Sequence, residues 1–219
     1  MSNWIVVQTL IQLLLKEKIW GNGFSTSNTN SFALHNIALM EITEQVIQQT
    51  RKWITDVVIA CNFCPFAAKE IKQDTIHYQV ETSVDPAICL RAFQQECERL
   101  DEEKNIETSL LIFPETFPRF DEYLDFVALA EKLLKKQGYE GIYQVASFHP
   151  RYLFAGASGD DAANYTNRSV YPMLHLLRED RVEAALLKYP NPEAIPDRNI
   201  VFARTKGLAH MKMLRDACL

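Results

Sequence analysis

The sequence predicts an α/β domain: a small, at least partly parallel sheet of about three to four strands, covered by helices, with extra C-terminal helices. Three observations predict this fold. Segments with helical and strand periodicity alternate from Thr43 onward. Hydrophobic residues make up 47% of the 219 residues and charged residues 23%, a balance that supplies a core. Seven glycines are few for an all-β sandwich with many tight turns.

Residues 1–39 differ from the rest of the chain. A short apolar run over 4–15 is followed by a polar, turn-rich stretch over 21–31 that has no period. We therefore expect a flexible N-terminal extension over 1–39, either an upstream extension of the reading frame or a poorly ordered tail. A single α/β domain over 40–219 follows it. A docking helix over 4–17 is the rival interpretation, because apolar residues recur there at helical spacing.

Local signals define the elements of the domain. Thr43 is a suitable N-cap for the first helix, Asp85-Pro86 is a cap followed by a proline at the first helical position, and Gly138 is a helix stop. Alternating and continuous apolar runs predict the strands. In order, we expect a helix over 43–60, a short helix over 65–72, a strand over 76–82, a helix from 86, a strand over 109–113, a helix over 121–137, a strand over 142–148, a loop over 149–167, a helix near 171–179, and helices over 196–217.

Charge and cysteine content constrain the partners and the compartment. The net charge of −5 and the absence of a basic stretch argue against nucleic acid. Five cysteines are an odd number in a chain too long to need disulfides, which favours reduced thiols and a cytoplasmic location. No Lys or Arg precedes the apolar run over 4–15, and the run falls short of the about 20 residues that span a bilayer. We therefore expect no secretory signal and no membrane partner.

Cys64 is the first candidate for chemistry. Cys61 and Cys64 form a C-x-x-C pair, but the pair closes a long helix, and no further ligands stand at zinc-site spacing. A redox pair and a zinc site are therefore the less favoured interpretations. If Pro65 opens a helix, the N–H groups at the helix start lower the pKa of the Cys64 thiol and favour a thiolate. The alternative is a buried cysteine that packs beside aromatic rings.

His149 and the loop behind it are the second candidate. His149 follows the third predicted strand, and ligands of open α/β sheets bind beyond the carboxyl ends of strands. The loop is long and rich in hydrogen-bonding side chains, which is typical of functional loops. Asn164, Asn167 and Arg168 are expected to hold a small anionic ligand, together with the N–H groups at the start of the next helix. The alternative is an internal salt-bridge network.

His175 and Arg178 complete the candidate site. They stand three residues apart, which places them on one face of the helix predicted near 171–179. A metal site is a further hypothesis, because His149 and His175 with Asp160 and Asp161 supply enough nitrogen and oxygen ligands. Nothing in their spacing requires a metal, and no cofactor is identified.

The chain contains four distinctive segments, Asn62–Phe66, Ser147–Pro150, Asn164–Ser169 and Tyr171–Arg178. Together they resemble a family catalogued as domain of unknown function 1415, found mainly in proteobacteria. The resemblance covers roughly Thr43 to the C-terminus and leaves out the chain before Met40. The family usually carries leucine where this sequence has Cys61, which further weakens the redox-pair interpretation. The resemblance implies membership and no mechanism.

Three hypotheses for function follow. The first is an enzyme for a small anionic molecule, with Cys64 as thiolate, His149 as acid or base, and His175 as a third catalytic residue that orients or neutralises the substrate. The second is a metabolite-binding or structural protein whose polar cluster only orders residues 149–178. The third is a metal-dependent enzyme that uses His149, His175 and Asp161. The expected substrate-binding residues are Asn164, Asn167, Arg168 and Arg178.

Overall fold

The computed structural model describes residues 29–219, with side chains from residue 37 onward. The docking helix predicted over 4–17, and the flexible extension up to residue 28, lie outside the described residues. Contacts divide the chain between Leu39 and Met40, and Met40–Leu219 is one compact unit. In the described part the helices are α1 (Thr29–Trp53), α2 (Ala67–Gln73), α3 (Pro86–Glu102), α4 (Phe120–Lys136), α5 (Glu179–Leu186), α6 (Ile195–Lys206) and α7 (Leu208–Asp216), and the strands are β1 (Ile76–Val80), β2 (Thr108–Ile112), β3 (Tyr143–Phe148) and β4 (Met173–Arg178).

The four strands form one mixed sheet in the order β1-β2-β4-β3. β1 and β2 are parallel and are joined by α3, the crossover helix that a parallel pair requires. β4 lies antiparallel to both of its neighbours. The strands β1 and β3 therefore form the two edges of the sheet. The α/β class with a partly parallel sheet is confirmed.

Hydrophobic residues cover both faces of the sheet. On one face, Leu111, Leu174 and Leu176 pack in the cluster that includes the buried residues of α3 and α4. On the other face, Ile112 and Met173 pack with buried residues of α1, α6 and α7. Alternate residues of β2 and β4 point to opposite faces, so each of these strands contributes to both clusters. Because β2 and β4 are buried on both faces, their sequences are mainly apolar and do not alternate between apolar and polar residues.

Several local predictions are confirmed. Asp85 caps α3 by accepting a hydrogen bond from the Ala87 N–H at 2.9 Å. After the end of α4, Gly138 has a positive φ of 81°, a conformation that glycine adopts without strain.

The first helix changes to a π-helical segment over Ile54–Ile59 before it ends. It also begins at Thr29, so Thr43 lies inside α1 and is not its N-cap.

The prediction of a helix over 171–179 is wrong, because Met173–Arg178 is the strand β4. Leu174 and Leu177 stand at a helical spacing, but the segment is apolar apart from His175 and pairs with strands on both sides. His175 and Arg178 therefore point to opposite faces of the sheet. The helix start that was expected to hold an anion beside Arg168 is not formed, and α5, which the sequence did not predict, begins only at Glu179.

A search of the described residues finds no helix with the length and hydropathy that a membrane span requires.

Candidate functional site

His149 bonds with both ring nitrogens to the protein backbone. It is 1% exposed and lies directly after β3. Its Nδ1 accepts the Arg151 N–H at 2.9 Å, so the ring proton stands on Nε2, which donates to the Phe117 carbonyl at 2.9 Å. Phe117 has a positive φ of 61°, so the bond holds a backbone turn that non-glycine residues rarely adopt. His149 thus connects two loops.

Aromatic rings enclose the imidazole. The ring centroids of Phe120 and Tyr123 lie 5.3 and 5.0 Å from that of His149. This burial lowers the pKa of His149. A buried neutral imidazole with both nitrogens bonded has no free lone pair or proton for a substrate. The position of His149 at a strand end was predicted, but its bonds are those of a structural residue.

The two asparagines order the loop that follows. Asn164 is completely buried, donates to the Ser158 carbonyl at 2.9 Å and accepts the Phe154 N–H at 3.1 Å. Asn167 accepts the Thr166 hydroxyl at 3.0 Å. These amides therefore serve turns of their own loop.

Arg168 also bonds to this loop. Its Nε donates to the Tyr152 carbonyl and its Nη2 to the Gly159 carbonyl, both at 3.0 Å. The guanidinium stands over the Tyr165 ring, 4.8 Å from the centroid. Two of its donors and one face are thus used within the protein. Arg168 remains partly exposed, but its hydrogen bonds order the loop and do not leave the whole guanidinium available to a ligand.

Arg178 lies far from these residues. It pairs with Tyr143 in the β3–β4 ladder, whereas Met173, at the other end of β4, pairs with Phe148. Five residues of strand separate the two ends, about 16 Å. The guanidinium donates to the Leu100 carbonyl at 2.5 Å, within the last turn of α3, and to the Ile106 carbonyl at 3.0 Å, just beyond the helix. It closes the C-terminal end of α3, where a cation is favourable.

His175 lies on the face of the sheet opposite to Arg178. Its Nε2 stands 2.7 Å from the Thr108 hydroxyl, which itself donates to the Leu176 carbonyl. Burial lowers the pKa of His175 to about 4, so the ring is neutral at physiological pH. The structure does not bring it into a common hydrogen-bond network with His149.

Cys64 stands in the turn that precedes α2. The helix begins at Ala67 with Phe66 as its N-cap, so Cys64 does not occupy the cap position that the sequence predicts. The backbone N–H groups of Phe66 and Ala67 act to lower the pKa of its thiol. Burial outweighs them, however, and raises the pKa of the Cys64 thiol. The predicted lowering of this pKa is therefore not found. In the described part of the chain Cys64 has no hydrogen bond or ion pair with His149 or Arg168.

The hypothesis of a metal site gains no support from the geometry. Asp161 forms a two-pronged ion pair with Arg204, at 2.7 and 3.1 Å, and caps the 3₁₀ turn at Ala163. His149 has no free nitrogen, and His175 belongs to another network. Across residues 37–219 no three His, Cys, Asp or Glu side chains are grouped so that they could hold a metal ion.

A different polar cleft, which was not predicted from the sequence, lies at the β1 edge of the sheet. Its volume is about 500 Å³, within the range of small-molecule sites. The strand β1 was predicted, but nothing in its alternation indicates that a helix leaves a gap beside it. We call this site the edge cleft. It is lined by Glu44, Ile47, Arg51, Asp74, Ile76, His77 and Tyr78.

The Tyr78 hydroxyl is the unusual group of the edge cleft. It is buried and has no hydrogen-bond partner among the described residues. Burial raises the pKa of Tyr78 to about 12, so the group is a neutral phenol. Arg51 stands over the ring at 4.6 Å and pairs with Asp74 at 3.4 Å. The carboxylate and the guanidinium of this pair are 80% and 49% exposed, so the pair itself is weak.

His77, which lines the edge cleft, lies near a buried carboxylate without bonding to it. Its Nε2 is 3.6 Å from Glu96 Oε2, too far for a hydrogen bond, and lacks a partner in the described region. Glu96 is 1% exposed, accepts the Ser109 hydroxyl at 2.5 Å and pairs with Arg99 at 3.0 Å. These two bonds satisfy the carboxylate without His77. Two unbonded polar groups, on Tyr78 and His77, thus stand on adjacent residues of one strand.

Comparison with known proteins identifies the family and nothing closer. No curated protein and no solved structure matches the chain. A family model described as "Protein of unknown function (DUF1415)" matches residues 45–213, most of the sequence. The match includes β1 to β4 and every segment that carries the resemblance noted in the sequence. The chain belongs to the DUF1415 family.

Proposed function

We propose that the protein binds a polar molecule in the edge cleft. The unpartnered, buried Tyr78 hydroxyl carries this proposal. Leaving a buried polar group without a partner costs about 1–3 kcal/mol, so native proteins rarely keep one without a use. A ligand that bonds to this hydroxyl would recover that cost.

The charges of the edge cleft indicate the character of the ligand. Arg51 offers a guanidinium whose present partner, Asp74, is largely exposed and easily replaced by a ligand carboxylate. Glu44 and Asp74 also line the cleft and favour N–H donors. The ligand would therefore carry an anionic group together with hydrogen-bond donors.

The bonding of residues 149–178 supports a binding protein over a catalytic one. His149, Asn164, Arg168 and Arg178 all donate to, or accept from, the protein's own backbone. A second hollow, of about 290 Å³ beside α5, is lined mainly by apolar side chains such as Val182 and Leu186. It therefore provides fewer polar groups for a polar ligand than the edge cleft does.

We test the edge cleft first through stability. Without ligand, Tyr78→Phe should raise the free energy of unfolding by about 1 kcal/mol, because it removes a buried hydroxyl that has no partner. The matched control is Tyr123→Phe, whose hydroxyl donates to the Met173 carbonyl at 2.7 Å and should cost about 1–3 kcal/mol. Denaturant unfolding measures both variants. A loss of stability in Tyr78→Phe equal to that of Tyr123→Phe contradicts an unpartnered hydroxyl.

Binding is then measured by thermal shift with amino acids, short peptides, dicarboxylates and phosphate esters. At least one compound should raise the melting temperature of the wild-type protein, and this shift should be lost in Arg51→Ala and Tyr78→Phe. An equal shift in both variants would place the ligand elsewhere. The absence of any shift across the panel, and of any peptide binding, would reject the edge cleft as a binding site.

A thiol enzyme is the second candidate, favoured by the backbone N–H groups of Phe66 and Ala67, which act to lower the pKa of the partly exposed Cys64 thiol. The geometry predicts that alkylation of Cys64, followed by peptide mass spectrometry against pH, has its midpoint above the ordinary thiol value of about 8.5. Cys64→Ser identifies the modified peptide. A midpoint below about 7 would reverse the order of the two candidates, because it would demonstrate a stabilised thiolate.

We propose the cytoplasm as the compartment, as the sequence led us to expect. All five cysteines are free, which supports a reducing environment. Mass spectrometry of protein purified with thiols blocked at lysis tests this. Five blocked thiols are expected, and a disulfide would contradict it.

A further inference from the structure

The backbone of β1 is bonded to the sheet on one side only. The Thr75 carbonyl accepts the Glu107 N–H at 2.8 Å, and the Glu81 N–H donates to the Ile112 carbonyl at 2.9 Å. In a strand, the N–H and C=O of successive residues point alternately to the two sides. The backbone N–H and C=O groups of the odd-numbered residues of β1 therefore bond to β2. Those of the even-numbered residues point outward from the edge of the sheet.

Ile76 and Tyr78 are the even-numbered residues that line the edge cleft. No hydrogen bond to their backbone N–H or C=O groups is found in the described part of the chain. Farther along the strand, the Val80 carbonyl accepts the Gln79 side chain at 3.2 Å, which blocks the edge there. The open stretch is thus short and coincides with the cleft.

We infer that the ligand of the edge cleft is an extended peptide segment that adds to β1 as a further strand. This inference rests on the proposed function and names its ligand class. The N–H and C=O groups of Ile76 and Tyr78 provide the bonds of a new ladder, the mode by which exposed sheet edges bind peptides. They stand two residues apart, the repeat with which an incoming strand presents its own groups.

The side chains around this edge fit such a peptide. Arg51 can pair with an acidic side chain or a terminal carboxylate, and the Tyr78 hydroxyl can bond to a peptide group. Ile47 of α1 gives the cleft an apolar surface for an alternate side chain. Glu44 and Asp74 disfavour a second acidic residue, so the preferred segment carries a single negative charge.

Selection from a displayed library of random linear peptides provides the probe. Selected peptides should bind the full-length wild-type protein, and hydrogen exchange should then be slowed at the amides of Ile76 and Tyr78. In the free protein these two amides should exchange faster than those of His77 and Gln79, which face β2. Protection confined to other segments would overturn the inference.

Ile76→Pro is the matched variant, because it removes an N–H that points away from the sheet and leaves the ladder to β2 intact. Peptide binding should weaken about tenfold or more, the equivalent of one lost hydrogen bond of about 1.4 kcal/mol. Lys72→Ala, an exposed residue outside the cleft lining, is the control and should bind normally. Circular dichroism verifies that Ile76→Pro is folded, and the exchange experiment on wild-type protein stands even if it is not.

The outcomes separate the two proposals. The inference is supported by peptides whose binding is weakened in Ile76→Pro and which slow hydrogen exchange at the amides of β1. A small molecule whose thermal shift needs Tyr78, with no peptide that protects β1, overturns the peptide class and leaves the binding function. If no probe engages the edge cleft, both proposals fail.

Discussion

We expect His149→Ala to lower the free energy of unfolding by about 3–5 kcal/mol. The substitution leaves the Phe117 carbonyl and the Arg151 N–H without their partner in a buried setting, and each orphaned group costs about 1–3 kcal/mol. It also opens a cavity between the rings of Phe120 and Tyr123. Equilibrium unfolding in urea measures the effect.

Arg151→Ala is the control for His149. The Arg151 side chain is exposed, and only its backbone N–H takes part in the bond to the imidazole. Its removal should change stability by no more than about 0.5 kcal/mol. A loss of less than about 1 kcal/mol in His149→Ala would contradict the structural role of His149.

Arg178→Ala should cost about 2–4 kcal/mol. The guanidinium donates to the Leu100 carbonyl at 2.5 Å and, from two nitrogens, to the Ile106 carbonyl at 3.0 and 3.2 Å. Bonds from a charged donor contribute about 1.5–3 kcal/mol each, and the sum is reduced here because the group is only partly buried. Arg178→Lys should recover a part, because one ammonium group cannot satisfy the same geometry.

Arg181→Ala is the matched control on the same surface. Arg181 is 59% exposed and makes only long ion pairs, 3.6 Å to Glu107 and 3.7 Å to Asp180. Such pairs contribute little, so the expected change is within about 0.5 kcal/mol. Equal losses in Arg178→Ala and Arg181→Ala, measured by urea unfolding, would show that the carbonyl contacts at the end of α3 do not stabilise the fold.

Much of the fold was predictable because its signals are local. Asp85 and Pro86 begin α3, and Gly138 follows the end of α4, in both cases through the conformational preference of one or two residues. The strands β1 to β3 were found from short apolar runs bounded by turns. Such features depend on neighbours in sequence, so they can be read without knowing the tertiary contacts.

β4 was not predictable in the same way. The segment from Met173 to Leu177, apolar apart from His175, fits a helix by the spacing of its leucines and a buried strand by its short, largely apolar character. Pairing with β2 and β3 decides in favour of the strand, and this pairing joins residues that are distant in sequence. The error extended to the candidate site, because it placed His175 and Arg178 on a common face.

The side chains of the candidate site were recognised, but their partners could not be. Sequence indicates that His149, Asn164 and Arg168 belong to an ordered polar region. Whether such groups face a ligand or a backbone carbonyl depends on the path of loops that meet only in three dimensions. The same holds for Tyr78, whose hydroxyl is unusual only because the surrounding helix and strand leave it unbonded.

The polar residues after β3 bond to the protein's own backbone, and the protonation state of His149 reports on this role. Nitrogen-resolved NMR against pH should show a neutral ring with its proton on Nε2, and a pKa below the ordinary value of about 6.5. Because the folded-state pKa is lowered, this group stabilises the fold above about pH 6.5, and its contribution is lost as the pH falls toward the folded-state pKa. A ring that titrates at or above 6.5, or that carries its proton on Nδ1, would show that His149 does not hold the backbone through these two bonds.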